Sequence, residues 1–317
     1  TPLPSEGRAR KFINGLSYWH SALSRERFDI FEGLNLPLVK APSGRTLLTI
    51  HDVRGIKPEA GILDRMVHKM VLGKSLKAAD HVITVSEAIK SEILQVFPDL
   101  SISVVYNGLN TYGFEEVFEV DQQAVRRKYD LPTEFILAVG HLERRKNYLR
   151  LIDSMARLRE KGRSCNLLII GNDRGGRDIG ERKVIEERIY AAGLSDSVKI
   201  LNGLSDFEVR CVYKLCTLFV FPSSYEGFGI PILEAMAAGC PIVLSDIPAF
   251  REITENRGVY FPYDDTEALA NAIKNVLSSN SERTRLIEYG SGRVNAFSFS
   301  SLAAQLEDIY RSLMPRP

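Results

Sequence analysis

The chain has 317 residues, which exceeds the roughly 250–300 residues at which a single hydrophobic core stops growing, so its length predicts two domains. A hydrophobic fraction of 44% and a charged fraction of 26% are typical of a soluble globular protein. The formal net charge of +1 excludes the strong positive field on which nucleic-acid binding depends, so we expect no nucleic-acid partner.

Cysteine spacing and hydropathy limit the cellular locations that we expect for this protein. The cysteines lie in apolar surroundings without Cys-x-x-Cys spacing, so neither a zinc site nor a disulfide framework is indicated; they are Cys165, Cys211, Cys216 and Cys240. No apolar stretch approaches the roughly 18 residues of a membrane span, and residues 1–12 lack a signal-peptide core. We therefore expect a cytoplasmic protein; if it meets a membrane, we expect the contact to be peripheral, on the inner face of the plasma membrane.

Short apolar runs alternate with amphipathic stretches along the chain, which predicts an α/β fold with parallel sheets covered by helices. The candidate strands are Thr46–Ile50, His81–Val85, Ser103–Tyr106, Phe135–Val139, Asn166–Ile170, Val198–Leu201, Leu218–Phe221 and Pro241–Leu244. Small or polar residues follow several of them, namely His51, Ser86, Asn107, Gly140, Gly171 and Pro222. Because open α/β sheets bind ligands at the carboxyl edge, we expect the chemistry there.

The polar stretch Gly108–Pro132 lacks a clear strand and predicts an interdomain linker. We place the domains at residues 1–112 and 113–297, followed by residues 298–317, whose helix Ser300–Leu313 has apolar residues at helical spacing and must dock on another element. Only about three strands precede Gly108, whereas an open nucleotide-binding sheet has about six. Either the true amino terminus is missing from this chain or the first domain is reduced.

The segment Tyr225–Pro241 has the pattern of an anion site. Pro231 suits the first turn of a helix and Gly239 suits its left-handed end, so the helix is expected over about Pro231–Ala238. The turn Gly227-Phe228-Gly229 then stands at the positive end of the helix, where backbone N–H groups and the helix dipole bind phosphate.

Glu226 and Glu234 flank this turn and can face one ligand from different depths. Both would repel a phosphate unless they reach past it to hydroxyl groups, which a sugar and a ribose supply. The alternative for Glu234 is that of an ordinary acidic partner of the helix dipole.

Arg144, Arg145 and Lys146 crowd the start of a helix that begins near Asn147. The helix dipole penalises cations at that end by about 0.3–1 kcal/mol each, so folding alone does not favour the arrangement. A diphosphate would favour it, through bidentate bonds from Arg145 and a point charge from Lys146. The alternative is a solvated surface cluster.

These motifs resemble family 4 of the retaining glycosyltransferases, which has the two-domain GT-B fold. That family combines a Glu-x7-Glu motif with an upstream Arg-Lys-Asn after a strand that ends in glycine. This sequence matches with Glu226–Glu234 and with Gly140 followed by Arg145-Lys146-Asn147. Further similar runs are TIHD at Thr49–Asp52, ITVSEAIKSEI at Ile83–Ile93, VYNGL at Val105–Leu109 and FPSSYEGFG at Phe221–Gly229.

The resemblance implies two Rossmann-like parallel-sheet domains facing across a cleft, with the first domain truncated or reduced. It implies that Arg145 and Lys146 hold the donor diphosphate and that Glu234 binds the ribose. It further implies that Glu226, with the backbone of Phe228–Ile230, holds the transferred sugar, and that His51 lies at that sugar. His51 could equally be a strand-end residue with its hydrogen bonds satisfied. The family's glycine-rich acceptor loop has no counterpart in residues 1–48.

We therefore expect a transferase that moves a hexose from a nucleotide diphosphate sugar to a saccharide or lipid-linked saccharide, with retention of configuration, in polysaccharide biosynthesis. The nucleotide sugar is a co-substrate, so no cofactor is expected. The sequence has no Asp-x-Asp motif, so no metal is expected either. Similarity to bacterial surface-polysaccharide enzymes favours a GDP-mannose donor. The alternatives are a glycoside hydrolase, a sugar-nucleotide epimerase and a non-catalytic nucleotide-sugar binder.

The segment Arg54–Lys77 carries six cations around a set of apolar residues. One interpretation is peripheral contact with an anionic bilayer, where lipid-linked acceptors reside. The other is an ordinary surface helix.

Overall fold

The computed structural model describes residues 27–34, 36–38, 40–58, 61–173 and 180–314, so the amino-terminal stretch 1–12 considered above lies outside it. The chain divides into two compact units. The first comprises the residues up to Tyr106 together with those from Ser300 onwards, and the second is Asn107–Phe299. Each unit is a parallel β-sheet with helices, which is the predicted α/β class.

The sheet of the first unit has four parallel strands in the order β1-β2-β3-β4. They are β1 Ile30–Gly33, β2 Arg45–Ile50, β3 His81–Thr84 and β4 Ile102–Val104. The sequence predicted three strands here and missed β1. That prediction was wrong because β1 is a half-buried edge strand that contains Glu32 and Gly33, residue types that are depleted in strands.

Helices of the first unit are α1 Ile62–Ala78, α2 Glu87–Leu94 and α12 Phe299–Leu313, with a 3-10 turn at Arg54–Ile56. The final helix, α12, buries Leu302 and joins the first unit from Ser300 onwards. The hydroxyl of Tyr310 on this helix donates a hydrogen bond to Glu32 on β1, and Thr49 on β2 donates to the other oxygen of the same carboxylate. The buried side chain of Leu302 and the hydrogen bond from Tyr310 to Glu32 therefore contribute to holding α12.

The second unit has a doubly wound sheet of six parallel strands. They are β5 Ile136–Val139, β6 Leu167–Ile170, β7 Val198–Leu201, β8 Leu218–Phe221, β9 Ile242–Ser245 and β10 Val259–Phe261. Their order is β10-β9-β8-β5-β6-β7, so the chain moves outwards from β5 on one side and then returns to build the other side from β8. The direction of winding reverses between β5 and β8, and this switch point is where doubly wound sheets bind ligands.

The helices of the second unit cover this sheet. They are α3 Tyr112–Glu115, α4 Glu119–Lys128, α5 Tyr148–Glu160, α6 Glu181–Ala191, α7 Asp206–Leu215, α8 Ile230–Ala237, α9 Pro248–Ile253, α10 Thr266–Ser278 and α11 Asn280–Arg293. Strands β6, β8 and β9 are buried along their whole length, as their continuous apolar sequences predict for a sheet covered on both faces.

The described helices include none with the length and apolar character that a membrane span requires. All four cysteines carry free thiols, with Cys211 and Cys240 buried and Cys165 and Cys216 half-buried. Among the described residues, no group of His, Cys, Asp or Glu side chains is arranged so that it could bind a metal ion.

Candidate active site

Two connections meet at the switch point of the second sheet. The first leaves β5 through Gly140 and forms a 3-10 turn at Arg144–Lys146 before α5 begins. The second leaves β8 through Pro222 and leads to Glu226. The backbone N–H of Ser224 donates to the carbonyl of Arg145 at 2.8 Å, so the two connections are joined directly. The two segments that the sequence singled out therefore lie side by side.

Lys146 is an almost fully buried cation, with 7% of its side chain exposed. Its Nζ donates to Glu226 Oε1 at 2.7 Å and lies 4.6 Å from the centre of the Phe221 ring. Burial lowers the pKa of Lys146, and the Glu226 carboxylate opposes that shift. Glu226 and the Phe221 ring therefore hold the Lys146 Nζ beside the end of β8.

Arg145 is held from several sides, with 19% of its side chain exposed. Its Nε donates to Glu143 Oε2 at 2.8 Å, and its Nη1 lies 2.5 Å from Glu226 Oε1 and donates to the carbonyl of Tyr225 at 3.2 Å. Burial pulls the pKa of Arg145 down, but Glu226 and Glu143 together outweigh it and the pKa is raised. The guanidinium is therefore fixed beside the residues that precede Gly227.

Glu226 accepts three interactions at one oxygen. Oε1 receives Lys146 Nζ, Arg145 Nη1 and, at 2.9 Å, the hydroxyl of the fully buried Ser223. The cations do not point into bulk solvent. They converge on the residue that immediately precedes the glycine turn, as an anion site at this position requires.

The Gly227–Gly229 turn leads into α8, which begins at Ile230, one residue before the predicted start. Gly229 caps the helix with φ of +134°, a conformation that side chains rarely adopt, and Pro231 lies in the first turn. Phe228 is buried and packs edge-on against Phe297, with ring centroids 5.8 Å apart. The backbone of the turn is thereby fixed at the positive end of the helix dipole.

Glu234 lies in the second turn of α8 and is half-buried. Its Oε2 accepts a hydrogen bond from the hydroxyl of Tyr213 on α7 at 2.8 Å. Burial raises the pKa of Glu234, and the hydrogen bond from Tyr213 opposes the shift.

His51 belongs to the first unit, where it follows β2 and is exposed. The structure therefore brings Arg145, Lys146, Glu226 and the glycine turn together, with Glu234 further along the helix that the turn begins. The role of His51 stays a prediction.

Three residues that support this site were not identified from the sequence alone. Glu143 is buried behind Arg145, Ser223 is buried against Glu226, and Tyr213 holds Glu234. Glu143 lies two residues before Arg145, and Ser223 lies three residues before Glu226; both come shortly after the end of a strand. Those positions could have indicated a role in the site. The sequence around Tyr213 offered no such signal, because a tyrosine on an amphipathic helix predicts only packing.

Two family models match the chain. The family described as "Glycosyl transferases group 1" matches residues 121–293, and the family described as "Glycosyltransferase Family 4" matches residues 1–112. The chain belongs to family 4 of the glycosyltransferases. The resemblance inferred from the motifs is thus confirmed, and so is the fold class.

Curated relatives of the glycosyltransferase include two mannosyltransferases. An O-antigen chain mannosyltransferase, RfbU, of Salmonella typhimurium is 30% identical over 231 residues, which are 72% of this chain and 60% of the relative. O-antigen chain mannosyltransferase B of Escherichia coli is 28% identical over 273 residues, covering 85% of this chain and 71% of the relative. The chain therefore spans 60% of the length of its Salmonella relative.

Solved structures share the fold of the glycosyltransferase. The sucrose-phosphate synthase of Thermosynechococcus elongatus superposes with a TM-score of 0.83 at 23% identity, covering 99% of this chain and 81% of that one. Anabaena HepE in complex with UDP and glucose superposes with a TM-score of 0.78 at 19% identity, covering 97% of this chain and 84% of that one.

Proposed function

We propose that this glycosyltransferase moves a hexose from a nucleotide diphosphate sugar to a saccharide or lipid-linked saccharide in polysaccharide biosynthesis, with retention of configuration. The observation that carries the proposal is the convergence of Arg145 and Lys146 on Glu226 beside the Gly227–Gly229 turn. Lys146 is buried and Arg145 is half-buried, and both lie beside a helix amino terminus, so together these positive groups favour a diphosphate as the ligand.

In the proposed complex each group has one task. Arg145 and Lys146 bind the diphosphate, and Glu234 accepts hydrogen bonds from the ribose hydroxyls. Glu226, with the backbone of Phe228–Ile230, binds hydroxyls of the transferred sugar, where we also propose His51. This division keeps Glu234 away from the phosphates, whereas Glu226 contacts both cations and competes with the diphosphate for them.

The reaction breaks the bond between the anomeric carbon and the diphosphate oxygen. Charge develops on that oxygen, and Arg145 and Lys146 stabilise it because they are already in place and largely shielded from water. The acceptor hydroxyl attacks the same face of the sugar and gives its proton to the leaving diphosphate. We propose that these two cations, with the helix terminus, replace a metal ion, so chelation with EDTA should leave the rate unchanged.

GDP-mannose is the donor that we favour, so the transferred hexose would be mannose. The support is that two relatives, from Salmonella and Escherichia, are named mannosyltransferases. A thermal-shift panel of GDP, UDP, ADP and dTDP sugars tests it, since a ligand at 100 times its dissociation constant stabilises a protein by about 2.7 kcal/mol. A shift with another sugar nucleotide and none with GDP-mannose would overturn the donor assignment.

Lys146→Ala tests the anion site. We expect turnover to fall by about 10²–10³, because a charged group that faces the leaving oxygen is removed. Lys161→Ala is the matched control, since it removes a lysine that pairs with Glu267 at the surface of the same unit. Equal turnover in the two variants would remove the proposed role of Lys146.

Analysis of the product distinguishes the proposed transferase from the alternatives. Proton NMR of the product reports whether the anomeric configuration of the donor is retained. An isomerised nucleotide sugar without acceptor would indicate an epimerase, and binding without turnover across an acceptor panel would indicate a non-catalytic binder.

We also propose peripheral contact with an anionic membrane, through α1. One side of this helix carries five large apolar side chains that are more than half exposed: Ile62, Leu63, Met66, Val67 and Met70. The helix carries four Lys and Arg residues against one acidic residue, Asp64. Exposed apolar side chains combined with positive charge are typical of helices that lie on anionic bilayers.

Co-sedimentation with vesicles tests the membrane contact. Leu63→Asp should weaken binding to vesicles of phosphatidylglycerol at least about tenfold, because it places a charge on the apolar face. Val184→Asp is the control, because Val184 is an exposed apolar residue on α6 of the other unit. Equal binding to phosphatidylglycerol and phosphatidylcholine vesicles would rule the contact out.

A further inference from the structure

Tyr213 is a fully buried tyrosine on α7 whose ring packs between two other aromatic rings. The ring packs edge-on against Phe114 of α3, with centroids 6.3 Å apart, and in a tilted arrangement against Phe219 of β8, with centroids 5.5 Å apart. Three elements thus fix the position of its hydroxyl group. A hydroxyl held in this way is a hydrogen-bond donor with a defined direction.

That hydroxyl donates to Glu234 Oε2 at 2.8 Å. Within the described part of the chain, Oε1 of the same carboxylate has no hydrogen-bond partner. Glu234 is only half-buried, so one oxygen is held from inside the protein while the other remains accessible to a ligand. A carboxylate with one occupied and one accessible oxygen is suited to accept a hydrogen bond from a bound hydroxyl.

We infer that Tyr213 is a positioning residue for nucleotide recognition: its hydroxyl fixes Glu234 so that the second carboxylate oxygen meets the ribose hydroxyls of the donor. This inference rests on the proposed function, in which Glu234 binds the ribose. Tyr213 does not touch the nucleotide and acts only through Glu234.

The physical reason is the flexibility of glutamate. A free glutamate side chain samples many rotamers, and each must be given up when it binds a ligand. The bond from a rigid tyrosine removes that freedom before the nucleotide arrives, which strengthens binding without a new contact. Burial also raises the pKa of Glu234, and the same hydrogen bond opposes that rise, so it favours the ionised form that accepts hydrogen bonds.

Tyr213→Phe tests the inference because it removes only the hydroxyl. Isothermal titration compares the nucleoside diphosphate that wild type binds best, among GDP, UDP, ADP and CDP, with its 2′,3′-dideoxy form. We expect the variant to bind the ribose form about 5- to 20-fold more weakly and the dideoxy form as wild type does. Tyr289→Phe is the matched control, since its hydroxyl also bonds a glutamate, Glu255, in the same unit.

A second experiment measures the effect of Tyr213→Phe in the Glu234→Ala variant. Tyr213→Phe should have no further effect on nucleotide affinity there, because the residue through which it acts is gone. Equal losses for both nucleotides, or a further loss in the Glu234→Ala background, would overturn the inference. If Tyr213→Phe does not fold, Glu234→Asp replaces it, since it withdraws the carboxylate from an intact Tyr213 and should give the same selective loss.

Failure of this inference differs from failure of the proposed function. If wild type binds none of the four nucleoside diphosphates, or if Lys146→Ala binds them as tightly as wild type, the proposed function is wrong. If Lys146→Ala weakens binding while Tyr213→Phe does not discriminate between the ribose and dideoxy forms, only the role of Tyr213 is wrong.

Discussion

At Glu226, one carboxylate faces both cations of the candidate diphosphate site. Arg145 and Lys146 carry two positive charges, and Glu226 and Glu143 carry two negative charges in direct contact with them. Glu143 contacts Arg145 from the buried side, whereas Glu226 adjoins the glycine turn. A diphosphate that enters must therefore compete with Glu226 for the same donors.

Glu226→Gln should separate ligand binding from catalysis. We expect nucleoside diphosphate affinity to rise by about 5- to 30-fold, because one negative charge near the phosphates is removed. We expect turnover with the nucleotide sugar to fall by at least about 100-fold, because the contact to the transferred sugar is weakened. Titration calorimetry and initial rates measure the two effects.

Glu267→Gln provides the control for this change, since Glu267 pairs with Lys161 at the surface of the same unit. Neither affinity nor turnover should change in that variant. A loss of nucleoside diphosphate affinity in Glu226→Gln would contradict the proposed competition and assign Glu226 to the binding of the diphosphate itself.

The connection after β5 depends on a glycine. Gly140 has φ of +148°, and a Cβ there would lie 2.9 Å from Cε of Lys146 and 3.0 Å from its Nζ. Because those atoms are the far end of a flexible side chain, the contact can be relieved by a displacement of the ammonium group. A substitution at Gly140 therefore affects the site as well as the fold.

Gly140→Ala should lower donor affinity by about tenfold or more, because it displaces the Lys146 ammonium group. It should also lower the free energy of unfolding by about 1–3 kcal/mol, through backbone strain at positive φ. Titration of nucleoside diphosphate and denaturant unfolding measure the two effects.

Gly162→Ala is the matched control for strain. Gly162 has φ of +78°, and a Cβ there meets nothing within 4 Å, so the variant carries strain without steric contact. It should lose stability but keep its affinity. If both variants lose affinity to the same degree, displacement of Lys146 is not the cause.

Among the secondary-structure elements, those with continuous apolar sequences were predicted closely. The bounds of β7 and β8 agree with the structure, and α8 begins one residue early. Strands β1 and β10 were missed: both are short edge strands with mostly half-buried residues, and the apolar run in each is shorter than the roughly four to eight residues that identify a buried strand.

For the whole molecule, α12 is far from β1 in sequence and belongs to the same compact unit. The hydrogen bond from Tyr310 to Glu32 joins them. Burial and that hydrogen bond raise the pKa of Tyr310 to about 12, above its ordinary value of 10.0. The contribution of this tyrosine to stability is therefore fully present below about pH 10 and is lost as the pH rises through about 12.

Tyr310→Phe should reduce the loss of stability on raising the pH, because the variant has no proton to lose at this contact. Denaturant unfolding between about pH 10 and pH 12 measures the difference between wild type and variant. Tyr190→Phe is the control, since Tyr190 is exposed on α6, and it should follow wild type. A pH dependence identical to that of wild type in Tyr310→Phe would contradict a role for this contact in holding α12.

The sequence by itself determined the α/β class, the strands of the second sheet other than β10, and the family, because continuous apolar runs, helix start and stop residues and motif spacing are local properties of the chain. It also identified Arg145, Lys146 and Glu226, since cations at a helix start and carboxylates around a glycine turn are unusual without a ligand.

Only the tertiary structure decided what these groups touch. The contacts of Arg145 and Lys146 with Glu226 and the hydrogen bond from Tyr213 to Glu234 join residues from different elements. The strand order brings the connections after β5 and β8 together although about 80 residues separate them. Contacts between distant segments depend on how the sheet is wound, and local sequence patterns do not record that winding.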